Sequence, residues 1–470
     1  MQDQTYFLNQ NLTLLLIVVI SLLFALIGIL YSRRHQGLSN YLTAGRNVGV
    51  LSLTTSLVAS ALGAWILFGP ASAATWGGIG SVIGYSLGTA FPMIVMIFLG
   101  TKIRKVFPKG NTLTEFIHHK FGKKIFKLIL ILTIFYMFIF LCAEMTAISM
   151  LVNYISGTQL WLTATLVIVT ALTYTLYGGL RASILTDNLQ FFIVIILLFI
   201  SAYYLFSLNY SYISFEYLQT NSGHLLSGTY LPNYTAGLTF FIAVAATNLF
   251  HQGNWQRVFA AKNDKVLKKS LLFSFIIIIP IVFFMGVSGL FAVSLDNKVN
   301  PDLAFFSILL KDNTKFLSVI VIILAVSLTI STIDTLVNAI SSIVVVDGKK
   351  VYFESNQKNF LRLSKIFIVI LSIISLIVAS KGYSILYLFL LADLLCCSAV
   401  FTVFYGFYQR KFVEKNAVIS ILLGLFLGLL LFPSTDFSQS ILVGILLPFD
   451  LFPQIVSSSL LFWSFLLATV

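Results

Sequence analysis

The stretch AVSLTISTIDTLVNAISSIVVVD, residues 325 to 347, is long enough to cross a bilayer and carries polar groups where an ordinary membrane helix has none. Ser327, Ser331, Asp334, Thr335, Asn338 and Ser342 recur at three- and four-residue spacing, which lays them along roughly one face of a helix. The other faces are Val, Ile and Leu. A carboxylate at the centre of such a helix costs about 2.5 to 3.5 kcal/mol on insertion scales, so it needs a partner or a function. Hydroxyl and carboxylate oxygens are hard ligands, the kind small cations take. The stripe therefore reads as a helix that coordinates a small cation deep in the membrane. Serine and threonine on membrane helices also bond to neighbouring helices or to their own preceding turn, and the hydroxyls alone would fit that plainer role. Asp334 weighs against it.

Working outward, the chain of 470 residues is 59% hydrophobic and 10% charged, with a mean hydropathy of +0.98, which excludes a soluble globular protein. Cys142, Cys396 and Cys397 lie in apolar segments and read as packing residues, not as a disulfide framework or metal cluster. The fold class is an all-α polytopic membrane protein. Hydrophobic runs at about 11–31, 48–75, 79–101, 125–154, 159–176, 181–207, 236–260, 267–294, 316–346, 363–380, 384–408, 416–432 and 453–470 give about thirteen transmembrane helices. The run at 437–447 is too short to count. The first run lacks the small-residue cleavage pattern of a signal peptide and reads as a retained span with its N-terminus outside. In that topology only Lys298, Lys311, Lys315 and Lys381 fall in outer loops. The remaining basic residues mark the inner side, which explains the net charge of +13 without nucleic acid.

The run 48–75 contains Gly63, Gly69 and Pro70, as in a discontinuous helix, with a break near Ala59 to Gly63. NTLTEFIHHK, 111–120, offers Thr112 with Glu115 three residues on, a capping box for a short cytoplasmic helix. The loop 208–235 contains no Lys or Arg and reads as a lid or short helices over the outer face. GGIGSVIG, 77–84, lacks the preceding strand of a dinucleotide site, and its glycines fit close helix packing. His118, His119 and His224 have no spaced partner for a metal. No Walker sequence, HExxH or nucleophile elbow occurs, which leaves a pore, a gradient-driven carrier or a receptor and argues against an enzyme.

Three stretches together resemble the sodium:solute symporter family. YGGLRASILTDNLQFFIV, 177–194, is similar to its signature of Gly-Gly, a basic residue and Thr-Asp followed by Gln; QRVFAAKNDK, 256–265, is similar to the segment after its sixth core helix; and Ser331-Thr332 matches the paired hydroxyls of its eighth. The resemblance covers roughly residues 40–410. It implies a LeuT-type fold of two inverted five-helix repeats, with broken first and sixth core helices. The expected divisions are an extra N-terminal helix in 1–35, a first repeat in 48–207 (core helices 1–5), an extracellular loop in 208–235, a second repeat in 236–408 (core helices 6–10), and extra C-terminal helices in 409–470. In the sixth core helix, Asn248, Gly253 and Asn254 permit the interruption.

Carried over residue by residue, the resemblance implies a principal Na+ site from the carbonyls of Ala59, Leu62 and Leu328 and the hydroxyls of Ser331 and Thr332. A second cation or proton site would use Asp187, Asp334 and Thr335. Asp334 stands where the family usually has serine, which leaves a tighter second sodium, a proton-titrating site or a structural pair open. Asp187 could instead cap its helix or pair with Arg181. The family's sugar and proline patterns fail at Ala61, Val244, Thr247 and Asn248. Substrate candidates near the breaks are Ser60, Trp65, Thr247, Asn248, Gln252 and Trp255, and they suit a small polar or zwitterionic solute; His251 reads as a helix-packing histidine in preference to a proton site. The implied function is a sodium-coupled symporter of a small organic solute, an amino acid or another small polar compound, with Na+ as coupling ion and no organic cofactor. It would act as a monomer in a bacterial inner membrane. The alternatives are a proton-coupled carrier of the same fold and a non-transporting sensor, the latter disfavoured by the lack of a soluble C-terminal domain before Val470.

Overall fold

The computed structural model describes residues 6–35, 37–207, 214–311, 315–352, 357–409, 413–435, 437, 439–440, 442–443 and 459–470. Residues 208–213 of the outer loop, most of 437–447, and the first part of the span expected at 453–470 lie outside these. The described chain is nearly all helix, and nine of its described helices are long and apolar enough to cross a membrane. The helices are α1 (Gln10–Arg33), α2 (Leu38–Thr43), α3 (Val50–Ala61), α4 (Gly69–Val106), α5 (Leu113–Phe121), α6 (Lys123–Ser156), α7 (Leu160–Ser207), α8 (Phe215–Ser222), α9 (Leu231–Phe250), α10 (Gln252–Ala260), α11 (Asp264–Leu295), α12 (Ala304–Leu309), α13 (Lys315–Tyr352), α14 (Gln357–Ala379), α15 (Ile385–Gly406), α16 (Glu414–Leu431) and α17 (Leu460–Thr469).

The polar stripe lies on α13, and burial puts that helix at the centre of the molecule: 83% of its apolar window is buried, against 33% for α1. It packs against α7, α6, α1 and α14. A helix surrounded by other helices can carry polar groups that meet protein partners, as Ser331, Asp334, Thr335 and Ser342 do, while the side chains of Ser327 and Asn338 have none among the described residues. The two longest stretches expected as separate spans appear as single elements. At 48 residues α7 would run about 72 Å as one straight helix, more than twice the roughly 30 Å hydrocarbon layer. Gly179, at φ 61° and ψ −156°, interrupts it where the sequence leaves a gap between 159–176 and 181–207. Gly78, at φ 58° and ψ −157°, does the same in α4, between the end of the first core helix and the span expected from 79. Both positions lie in backbone regions that glycine alone enters at no steric cost.

The glycines of 77–84 serve the close packing read from the sequence. A Cβ on Gly84 would lie 2.0 Å from the Gly237 carbonyl oxygen, so α4 and α9 meet backbone to backbone. Helix α5 is capped as expected. Thr112 Oγ1 accepts from the Glu115 amide at 3.0 Å, and Glu115 Oε2 accepts from the amide of Asn111, one residue before the cap itself, at 3.0 Å. The described part of the outer loop forms α8 and a 3-10 turn, Gly223–Leu226.

Candidate functional site

The first break lies where the sequence puts it. α3 ends at Ala61, Leu62 leaves helical geometry at ψ 71°, Gly63 is extended, and a 3-10 turn over Ala64–Leu67 leads into α4. Its cause is a residue the sequence reading passed over. Glu144 of α6, fully buried, accepts the amides of Ala64 at 3.0 Å and Trp65 at 3.4 Å. In a continuous helix those amides would bond to the carbonyls of Ser60 and Ala61. The Ile66 amide goes to the Gly63 carbonyl and not to Leu62. Three successive carbonyls, of Ser60, Ala61 and Leu62, are thereby released from helical pairing beside the stripe.

Gly63 is fixed by its neighbours. A Cβ there would lie 2.5 Å from Glu144 Oε1 and 2.6 Å from Thr332 Oγ1, so the break, α6 and α13 converge on one point. Thr332 Oγ1 donates to the Leu328 carbonyl at 3.2 Å, and Ser331 Oγ donates to Asp187 Oδ1 at 2.7 Å. A hydroxyl that has spent its proton keeps lone pairs, so both oxygens retain acceptor capacity for a cation. The donor set is all oxygen, as a hard cation needs.

The expected second site is brought together in an altered form. Asp187 Oδ2 pairs with the Arg257 guanidinium at 2.6 Å, both side chains wholly buried, and accepts from Ser56 at 2.6 Å. Arg181 does not pair with it; that guanidinium donates to the Ala44 carbonyl. Arg257 also donates to Ser56, to the Gly253 carbonyl and to Thr335 Oγ1. Asp334 is held by hydroxyls alone: Tyr174 at 2.7 Å, Ser183 at 2.9 Å, Thr186 at 3.2 Å and Thr335 at 3.4 Å. Thr335 therefore links the two acids.

The second break falls at His251, with φ −61° and ψ 107°, between α9 and α10. Between the two breaks lies a cavity of about 20 Å³, room for a water or two. Ser60, Trp65, Thr247 and Asn248 line it as expected, and so does His251. Gln252 does not. Its Oε1 accepts the Leu113 amide, and its Nε2 donates to the Asn111 carbonyl and Ser342, so it fastens α5 and not a solute. Its side chain leaves the break on the α5 side, because residues one apart on a helix do not face alike. Trp255 is a packing residue, its indole bonded to the Leu249 carbonyl and its ring against Phe404. Asp393 of α15, which no sequence pattern singled out, joins the lining and accepts the Thr247 hydroxyl at 2.6 Å. For Asp393 and Glu144 the usable signal was the one applied to Asp334, a lone acid in an apolar helix.

The side rich in lysine and arginine is fastened shut. Thr112 and Thr114 donate to Asp347 Oδ2 at 2.9 and 2.6 Å, Lys350 pairs with Glu115 at 3.1 Å, and Arg46 donates to the carbonyls of Pro108 and Gly110. The amide and carbonyl of Val48 bond to the chain at 260 and 262, which ties the start of the first core helix to the end of the sixth.

The model of the sodium:solute symporter family matches residues 41–424. The chain belongs to that family. The chain is 27% identical over 409 residues to a spermidine transporter of Candida albicans, covering 85% of this chain and 77% of that one. It is 24% identical over 173 residues to a urea active transporter of Saccharomyces cerevisiae, which spans 37% of this chain and 24% of the relative. Among solved structures, a Na+-coupled sialic acid symporter in a substrate-bound, outward-open state superposes with a TM-score of 0.74 over 97% of both chains at 17% identity. A nucleobase-cation-symport-1 family transporter in a closed conformation gives 0.52 over 92% of this chain and 94% of that one at 14% identity. Those likenesses establish the transporter fold. The curated relatives are fungal, and the bacterial setting expected from the sequence gains no support from them.

Proposed function

We propose that this integral membrane transporter is a sodium-coupled symporter that carries a small polar organic solute by alternating access, acting as a monomer. The observation that carries the reading is the junction at Gly63, where the break held open by Glu144 lies against Thr332 of the Ser331–Thr332 pair. The principal Na+ site would consist of the carbonyls of Ala59, Leu62 and Leu328 with the hydroxyls of Ser331 and Thr332. The solute would bind beside it, in the cavity between the breaks, against Ser60, Trp65, Thr247 and Asn248. Relatives named for spermidine and urea support a small nitrogen-containing solute, a class that includes amino acids. The fastened inner side supports an arrangement closed toward the cytoplasm, reached with the N-terminus outside. The two repeats, 48–207 and 236–408, would each contribute one broken helix. Membrane potential would supply about 2.3 kcal/mol per sodium per 100 mV.

A second reading, proton coupling, is favoured by the Asp334 carboxylate, which is surrounded by hydroxyls with no basic side chain on it. Uptake into proteoliposomes of labelled amines, amino acids, urea and small carboxylates separates the two. Accumulation driven by an inward sodium gradient and lost in Ser331→Ala/Thr332→Ala is expected. Accumulation driven equally by a proton gradient in the absence of sodium would overturn sodium coupling and move the ion site to Asp334.

A further inference from the structure

Asp187, Asp334 and Glu144 have both carboxylate oxygens bonded by the protein: Asp187 by a guanidinium and two serines, Asp334 by four hydroxyls, Glu144 by two backbone amides. Asp347 takes two threonines on Oδ2 and has no partner on Oδ1 among the described residues, but it is not part of the cavity lining. Asp393, 4% exposed, has one donor, the Thr247 hydroxyl on Oδ1. Oδ2 accepts no hydrogen bond among the described residues, and none of their three ion pairs includes Asp393. The carboxylate lines the cavity at the two breaks, whose walls include the rings of Trp65, Tyr85 and Phe140. Trp65 and Tyr85 are stacked with centroids 5.5 Å apart. On the same cavity lies His251, 6% exposed, whose Nδ1 has no hydrogen-bond partner.

A carboxylate among aromatic rings is costly to bury unless a positive charge compensates it, and aromatic faces themselves attract cations. No described residue forms an ion pair with it. We propose that Asp393 is the counter-ion for an ammonium group of the transported solute, and that the solute class is a small protonated alkylamine. A neutral amide can donate N–H groups to the carboxylate but leaves its charge uncompensated, whereas an ammonium does both. The far end of such a solute, a second ammonium in a diamine, would meet the side-chain oxygen of Asn248 and the unpartnered Nδ1 of His251. At about 20 Å³ the cavity holds no amine, so binding belongs to an opened form of the same site. This assignment rests on the cavity being the solute site of the proposed symporter.

The test uses the purified full chain in proteoliposomes with labelled putrescine as probe, with sodium binding followed separately by sodium-dependent thermal stabilisation. Wild type is expected to accumulate putrescine. Asp393→Asn should raise the KM for putrescine about tenfold or more while keeping its sodium-dependent stabilisation, and Asp393→Glu should recover part of the loss. An unchanged KM in Asp393→Asn, or a wild type that neither carries putrescine nor is stabilised by it, would overturn the assignment. Should Asp393→Asn not fold, thermal stabilisation of wild type decides: putrescine stabilising where urea does not supports the ammonium site, and the reverse refutes it. Putrescine uptake that needs Asp393 but no sodium leaves this inference standing and removes sodium coupling instead.

Discussion

Replacing Glu144 removes the acceptor that takes two amides away from the first core helix. The Ala64 bond, at 3.0 Å, has ordinary N–H to oxygen geometry, while the Trp65 bond, at 3.4 Å, is long and weaker. Bonds to a charged acceptor contribute about 1.5–3 kcal/mol, and a buried amide left with none costs about 1–3 kcal/mol. Glu144→Gln keeps a carbonyl oxygen for one amide and should lose about 1 kcal/mol. Glu144→Ala strands both and should lose about 2–4 kcal/mol. Stranded amides recover partners by returning to the carbonyls of Ser60 and Ala61, which re-forms the helix; the Ile66 amide then takes the Leu62 carbonyl and withdraws that oxygen from sodium. If the loss falls on the sodium-competent form, half-saturating sodium rises about thirtyfold or more in the alanine variant. The assay is a sodium titration of thermal stability and tryptophan fluorescence in detergent, since Trp65 sits at the break. An alanine variant with wild-type midpoint and wild-type sodium dependence would refute the account of how the break is held.

Two further outcomes follow from other buried groups. Arg257→Met leaves Asp187 buried without its counter-charge and should destabilise by about 3–5 kcal/mol, whereas Arg257→Met/Asp187→Asn should recover much of that; equal melting temperatures for single and double variants would contradict the pairing. Asp302, in the 3-10 turn Pro301–Leu303 outside the spans, is held above the usual carboxylate range by burial, opposed by the Ile385 amide. A raised acid binds its proton more readily folded than unfolded, so its destabilising contribution is full at neutral pH and disappears as pH falls through that window. Asp302→Asn, which cannot titrate, should therefore melt above wild type near pH 7, with the difference shrinking toward about pH 4; a difference constant across the range would contradict this.

Local pattern carried much of the molecule. Hydropathy over each run gave the spans, Gly63 marked the first break, and Thr112 with Glu115 marked α5. The small residues of 77–84 marked a helix contact, and the period of Ser331, Asp334, Thr335 and Ser342 marked one face of a buried helix. Each of these is a relation among residues of one helix or of one turn beside it, which periodicity and capping chemistry encode directly. The identity of partners was not legible. Asp187 meets Arg257, 70 positions away, and not Arg181, six away. Gln252 turns to α5, 139 positions from Leu113, and leaves the cavity beside it to Asp393, 146 positions from Thr247.

The sequence by itself determined that this chain crosses the membrane many times, that its first core helix breaks, and that one helix carries a polar stripe with an acid; the second break was implied by the family resemblance. Those follow from the cost of putting backbone and charge into hydrocarbon, a cost each segment bears on its own. Only the tertiary structure decided that Glu144 holds the first break open, that Asp187 is neutralised within the protein, and that Asp393 is left facing the cavity. A buried charge is defined by what surrounds it, and its surroundings come from helices that the chain brings together only when it folds.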